Sequence, residues 1–226
     1  HLNVLVHLFG QASPLVEQLQ GKPFIEDAAQ AFGAEIQGKK VGTFGLVGCY
    51  SFYPTKTLHT NGHGGAISTD DPELYRKMKL FVECGRWEGK VTEAVALNLR
   101  MDELHAEFVL FELEHYDQRM EAQHQIAQEL SSLVPGPQPF LLERQGDRHI
   151  YSVFNLLISN RDAFRSFMND RGIDTMVYYD QNILPAGERA KYADITERVV
   201  AIPCRWNLTS AEFSRIREAL REWSNE

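Results

Sequence analysis

Short apolar runs bounded by glycine or proline alternate with stretches of helical spacing along the first half of the chain. Leu2–Phe9, closed by Gly10, has the length and flanks of a fully buried strand. Ser13–Gln20 reads as a short helix stopped at Gly21. Pro23–Asp27 is a second strand that ends in adjacent carboxylates, Gly38–Gly45 a series of turns, Gly48–Tyr53 a third strand and Gly65–Thr69 a fourth. Asp71-Pro72-Glu73 opens a helix that runs to about Cys84, with proline in its first turn. Between Met101 and about Leu133, the positions Leu104, Phe108, Phe111, Leu113 and Tyr116 predict a long amphipathic helix with one interruption.

Pro135-Gly136-Pro137-Gln138-Pro139 is the clearest boundary, because proline cannot continue a helix. Beyond it come a strand over Ile150–Ile158, a helix over Arg161–Arg171, a strand over Ile173–Tyr179, a loop and a strand over Val199–Ile202. A last helix runs from Ser210 to about Trp223, with Thr209 as its N-cap. The pattern divides the chain into an α/β domain, residues 1–134, and a smaller α+β domain, residues 135–226.

Composition narrows the class. With 43% hydrophobic and 24% charged residues, the chain is an ordinary globular one rather than a disordered or collagen-like one. Its 23 basic against 31 acidic residues give a net charge of −8, which argues against general nucleic-acid binding. No apolar run approaches the roughly 18 residues of a membrane span. Three widely spaced cysteines, Cys49, Cys84 and Cys204, fit a reducing cytoplasm and read as small buried hydrophobes.

Three chemistry-bearing residues fall at strand ends. Asp27 ends one strand, Ser51 lies in the next, and Lys56 follows a Pro-Thr turn beyond it. In α/β sheets, ligands bind outside the carboxyl ends of the strands, so the three can share one crevice. A lysine desolvated there loses its proton more readily, and a neutral amine condenses with a carbonyl to give a Schiff base. Pyridoxal phosphate requires such a lysine, an acid at its ring nitrogen and donors for its phosphate. Spacing alone leaves a solvated loop lysine as the commoner reading.

The ordered motifs Val6–Gln11, Ile25–Ala34, Ser51–Lys56, Gly62–Ala66 and Asn98–Met101 resemble the DegT/DnrJ/EryC1/StrS sugar aminotransferases, and the likeness extends through Arg161–Tyr179 and Val199–Pro203. The resemblance implies a fold-type-I, pyridoxal 5'-phosphate-dependent transaminase working as a homodimer. It gives Lys56 the Schiff base, Asp27 the pyridine nitrogen, Gln30 a place against the ring and Ser51 the phosphate. It has Asn98 reach across a dimer interface to the neighbouring subunit's cofactor phosphate. The implied reaction moves an amino group, usually from glutamate, to a keto group on a nucleotide-linked sugar or a cyclitol, with Lys56 shuttling the proton. Polysaccharide or antibiotic-sugar biosynthesis would be its setting. A dehydratase branch carries histidine where this chain has Lys56, and a catalytically silent regulatory subunit is the alternative of another class.

Remaining candidates are open. His7, ending a strand, is more often a hydrogen-bonded core residue. His63 stands where the family commonly has an acid. His59 and His63 lack an evident third metal ligand, so no metal is expected. Arg100 either contacts a substrate phosphate or anchors the following helix, and His149 and Tyr151 either border the sugar pocket or serve packing. Arg215, Arg217 and Arg221 read as a solvated face. The resemblance also implies that the family's large domain begins well before Val6, with a Gly-Thr or Gly-Ser turn for the phosphate and an aromatic that stacks on the ring. The chain is therefore expected to be part of a longer protein, or half of a split enzyme completed by a complementary N-terminal chain, with an open sheet edge.

Overall fold

The computed structural model describes residues 2–91, 95–179 and 193–224. The chain forms two compact units, residues 1–117 with 145–148, and residues 118–144 with 149–226. The first runs through β1 (Asn3–Val6), α1 (Val16–Leu19), β2 (Phe24–Asp27), β3 (Glu35–Ile36), β4 (Lys39–Lys40), β5 (Val47–Ser51), β6 (Gly65–Ser68), α2 (Pro72–Val82), β7 (Arg86–Trp87), β8 (Lys90–Val91), α3 (Glu103–Glu114) and the start of α4 (Tyr116–Ser131). The second continues with the rest of α4, β9 (Phe154–Leu157), α5 (Arg161–Asn169), α6 (Ala193–Arg198), β10 (Val199–Ile202) and α7 (Ser210–Trp223). The boundary expected at Pro135 falls, by packing, inside α4. The reason is that Ala127 and Leu130 are fully buried in the second unit's core.

The sheet of the first unit has the order β1-β2-β5-β6. β1, β2 and β5 are parallel and β6 returns antiparallel to β5. Register determines which side chains share a face. Leu5 pairs with Glu26 and Glu26 with Gly48, while Val6 pairs with Asp27 and Asp27 with Cys49. Because strand side chains alternate, Asp27, Cys49 and Ser51 point to one face, and Glu26 to the other. The Glu26 face is closed, with Leu5, His7, Phe24 and Glu26 all buried. On the Asp27 face, Val4, Val6 and Ile67 are exposed at 63%, 46% and 52%. This corrects the expectation of a fully buried first strand: its apolar run covers both parities, but only one face is covered by described residues. β1 lies at the sheet edge, paired to β2 alone among them.

Local chemistry sets the helix ends. Asp71 caps α2, its Oδ1 accepting from Glu73 N and Leu74 N at 2.8 and 3.1 Å, with Pro72 in the first turn. The long helix breaks once, at His115, as its pattern predicted. Its first half is not amphipathic, however: Leu104, Phe108, Leu110, Phe111 and Leu113 are exposed on several sides of α3.

In the second unit, Phe154, Leu156, Val200 and Ile202 of the β9–β10 pair pack with Phe164 and Met168 of α5 and Ile216 and Leu220 of α7. Thr209 and Glu212 form a reciprocal capping box at α7, with Thr209 N donating to Glu212 Oε2 at 2.8 Å and Glu212 N donating to Thr209 Oγ1 at 3.2 Å. Two expectations change here. The strand read from Ile150 starts only at Phe154, after Tyr151 adopts a φ of 51° that extended pairing does not allow. The strand read over Ile173–Tyr179 is reduced to one bridge, Met176 to Ala201. Much of the loop expected after Tyr179 lies outside the described residues, and α6 follows it.

Candidate active site

Asp27 is the last residue of β2, half-buried, and its Oδ1 accepts a hydrogen bond from Ala29 N at 3.0 Å. That short turn fixes the carboxylate and leaves Oδ2 without a donor among the described residues. Its charge is felt laterally: burial, then Asp27, pushes the Cys49 thiol pKa up. Gln30 is held by Phe9 N, which donates to its Oε1 at 2.9 Å. Ser51 ends β5 two residues beyond Cys49 on the same face, and its Oγ accepts from Tyr53 N at 3.3 Å. The Ser51 hydroxyl proton therefore remains available for a ligand.

Lys56 is delivered by a turn anchored at both ends. Its N–H donates to Tyr53 O at 2.9 Å, closing the Tyr53-Pro54-Thr55-Lys56 turn. On either side, Phe52 N donates to Gly64 O at 2.8 Å and Thr60 N to Phe52 O at 2.9 Å. Phe52 and Leu58 are buried, and Phe32 sets its ring edge-on to Phe52 and Tyr116. The Tyr116 hydroxyl donates to Phe32 O at 2.5 Å and meets Thr57 Oγ1 at 3.1 Å, pinning the residue next to Lys56. Lys56 itself is half-buried, and its ammonium has no partner among the described residues.

Ser51 and Lys56 line one cavity of about 560 Å³ together with Tyr53, His63, Gly64, Gly65, Leu99, Arg100 and Met101. Of the residues singled out from sequence, the structure thus brings Ser51, Lys56, His63 and Arg100 to one cavity. Asp27 shares the sheet face of Ser51 but does not line the cavity. Tyr53, Leu99 and Met101 were missed, since no spacing rule joins residues around 53 to residues around 100.

Behind the Asp27 face lies a polar network that sequence reading did not single out at Glu26. The carboxylate of Glu26 is fully buried. Oε1 accepts from Phe44 N and Gly45 N, each at 2.6 Å, and Oε2 from Gly42 N at 2.7 Å and His7 Nε2 at 2.9 Å. His7 Nδ1 accepts from Ser13 N at 3.0 Å, so Nε2 carries the proton given to Glu26. Burial alone would raise the Glu26 pKa; the His7 N–H and the amides of Gly45, Gly42 and Phe44 outweigh it and hold the carboxyl below the usual value. The available signal was a glutamate at the buried parity of a strand, facing a glycine-rich turn.

The other candidates are placed elsewhere. Asn98 is exposed and forms a backbone bridge to Glu83. His149 and Tyr151 are each 3% exposed, and their rings stack with centroids 3.9 Å apart and 4° between planes. His149 Nδ1 accepts from Tyr151 N at 2.8 Å and Nε2 donates to Phe140 O at 3.0 Å. Burial lowers the His149 pKa to about 4, a neutral ring, and burial then the Glu143 charge raises that of Tyr151. Both rings are used within their own unit and neither lines a described cavity. Among the described residues no three His, Cys, Asp or Glu side chains gather as a metal site, and no helix is long and apolar enough to cross a membrane.

The donor set fits pyridoxal phosphate. A lysine amine and a hydroxyl line one cavity, and a carboxylate lies on the same sheet face, the amine and one carboxylate oxygen being without partners among the described residues.

A UDP-N-acetyl-3-dehydro-alpha-D-glucosamine 3-aminotransferase of Acidithiobacillus ferrooxidans is 30% identical over 96% of this chain and 62% of its own length. A dTDP-3-amino-3,4,6-trideoxy-alpha-D-glucose transaminase of Streptomyces venezuelae is 30% identical over 97% of this chain and 62% of its own. The chain therefore spans somewhat under two thirds of the curated relatives it matches. Among solved structures, S. venezuelae DesV in complex with a ketimine intermediate is 28% identical and superimposes with a TM-score of 0.90, covering 100% of this chain and 66% of DesV. A Brucella abortus aminotransferase is 26% identical with a TM-score of 0.86, covering 99% of this chain and 64% of that one. Residues 4–221 match the family model, and with the fold this places the chain in the DegT/DnrJ/EryC1/StrS aminotransferase family.

Proposed function

We propose that this chain supplies the lysine-bearing part of a pyridoxal phosphate-dependent transaminase that moves an amino group, from glutamate, to the keto group of a nucleotide-linked sugar. The observation that carries the reading is the placement of Lys56 and Ser51 on one cavity beyond the sheet face of Asp27, in a member of this family. The UDP- and dTDP-sugar transaminases among its relatives support the substrate class.

Bound there, the cofactor would act as an electron sink that makes the carbon bearing the amino group acidic. The chain's own residues then have separate tasks. Lys56 Nζ, once free, takes and returns the proton on a tether fixed by the Tyr53–Lys56 turn. Asp27, oriented through Oδ1 by Ala29 N, presents Oδ2 to a ring N–H and keeps that proton in place by charge. The Ser51 hydroxyl donates to a phosphate oxygen, Gln30 borders the ring, and Arg100 faces a substrate anion. We further propose a homodimer, in which exposed Asn98 reaches the neighbouring cofactor phosphate. The open apolar side chains of α3 support such an interface. Three free cysteines fit a cytoplasmic setting.

The test is amino-sugar formation from glutamate and keto-sugar nucleotides by the full-length protein. Lys56→Ala is expected to abolish turnover, and Asp27→Ala to slow it severely while some cofactor stays bound. Near-normal turnover by the Lys56 variant would overturn the reading.

A further inference from the structure

The cavity beside Lys56 is electrostatically unbalanced. Its lining includes Lys56, Arg100 and His63 but no aspartate or glutamate among the described residues, in a chain whose net charge is −8. Neither the Lys56 ammonium nor the Arg100 guanidinium has an ion pair or hydrogen-bond partner among those residues. His63 makes a ring contact with Tyr53, centroids 5.5 Å apart and tilted at 44°, and no hydrogen bond. Three cation-capable groups around one concavity, with no acid in its lining among the described residues, give it a positive potential.

From the Gly62–Gly65 turn, His63 supplies the side chain that lines the cavity. A Cβ on Gly64 would come within 2.6 Å of Met101 Sδ, and one on Gly65 within 2.7 Å of the Tyr50 carbonyl oxygen. The backbone carbonyl thus reserves position 65 for glycine, and a side chain at position 64 would have to displace that of Met101. The backbone that carries His63 is held by the bond from Phe52 N to Gly64 O and by the pairing of Gly65 with Ser51. The imidazole therefore stands on a fixed base, exposed, lining the same cavity as Lys56 and Arg100, with no hydrogen-bond partner among the described residues.

We propose that His63 is a specificity residue which, with Arg100, binds an oxyanion of the substrate, a phosphate ester or a carboxylate, beside the reacting carbonyl. The proposal rests on the aminotransferase reading, which assigns Lys56 and Ser51 to the cofactor and leaves His63 and Arg100 for substrate. An imidazole donates through a ring nitrogen and adds charge when protonated, and a guanidinium offers a two-pronged donor. Together they favour an anionic partner over a neutral one of the same shape.

The test is calorimetric titration of the full chain, saturated with pyridoxal phosphate, with two probes: inorganic pyrophosphate for the phosphate source and 2-oxoglutarate for the carboxylate source. At least one probe is expected to bind, and the one that does identifies the source. His63→Ala should weaken it by about tenfold, the loss of one charge-assisted hydrogen bond. His63→Glu should abolish binding, and Lys22→Ala, exposed and outside the lining of this cavity, should leave it unchanged. Binding by His63→Ala and His63→Glu within about twofold of the parent, or binding of neither probe by the parent, would overturn the proposal. Borohydride trapping of the same samples separates the two claims. A labelled Lys56 with probe binding indifferent to His63 refutes only the His63 role. An unlabelled Lys56 refutes the aminotransferase reading itself.

Discussion

Replacing Glu26 by glutamine keeps the shape of the side chain and removes one oxygen of a carboxylate that receives four donors. Each oxygen takes two: Phe44 N and Gly45 N at 2.6 Å on one, Gly42 N at 2.7 Å and His7 Nε2 at 2.9 Å on the other. Whichever oxygen becomes an amide nitrogen, two buried N–H groups lose their acceptor and face another donor. At about 1–3 kcal/mol for each buried donor left unsatisfied, the cost is about 4 kcal/mol, a large share of the ~5–15 kcal/mol of a typical domain. Urea unfolding with m near 2 kcal/mol/M should show a midpoint lowered by about 2 M with m unchanged. The acid limb gives an independent reading. The folded carboxyl titrates below the ordinary 4.5, so its contribution is complete above that value and is lost as pH falls through the depressed folded pKa. The gap between parent and variant should therefore close in acid. A midpoint shift below about 0.5 M, or curves that stay parallel through the acid limb, would refute the claim that this carboxylate holds the Gly42–Gly45 turn.

Phe164, fully buried in the second unit, should lose about 3–5 kcal/mol on truncation to alanine, read as a lowered urea midpoint; a cost below about 1 kcal/mol would mean that the core is looser than described. Thr209→Ala removes the α7 capping box and should cost about 1 kcal/mol, with slower loss of helical signal on heating in the parent than in the variant.

Much of the frame was legible because its signals are local. The Asp71-Pro72 start of α2 and the Thr209 cap of α7 each follow from a few neighbouring residues, whereas the interruption of the long helix was expected without a position and falls at His115. What escaped depends on distance in sequence or on which face is covered. The hairpins β3–β4 and β7–β8 have two-residue strands, too short for any period to register. The first strand is apolar at both parities, so its pattern could not reveal that Val4 and Val6 stand open. At the site, chemistry at strand ends made Lys56, Ser51 and Asp27 candidates, and only the resemblance of the surrounding motifs gave them roles. The roles of Glu26, Tyr53 and Met101 required the register and the loop anchors, which no spacing encodes.

The central claim is that the amine of residue 56 is the group that captures the cofactor aldehyde. Incubation of the full-length protein with pyridoxal phosphate, reduction by borohydride, proteolysis and peptide mass spectrometry test it directly. The account predicts one pyridoxyl adduct, on the peptide containing Lys56. An adduct on another lysine, or an unmodified Lys56 after saturation with the cofactor, would contradict it.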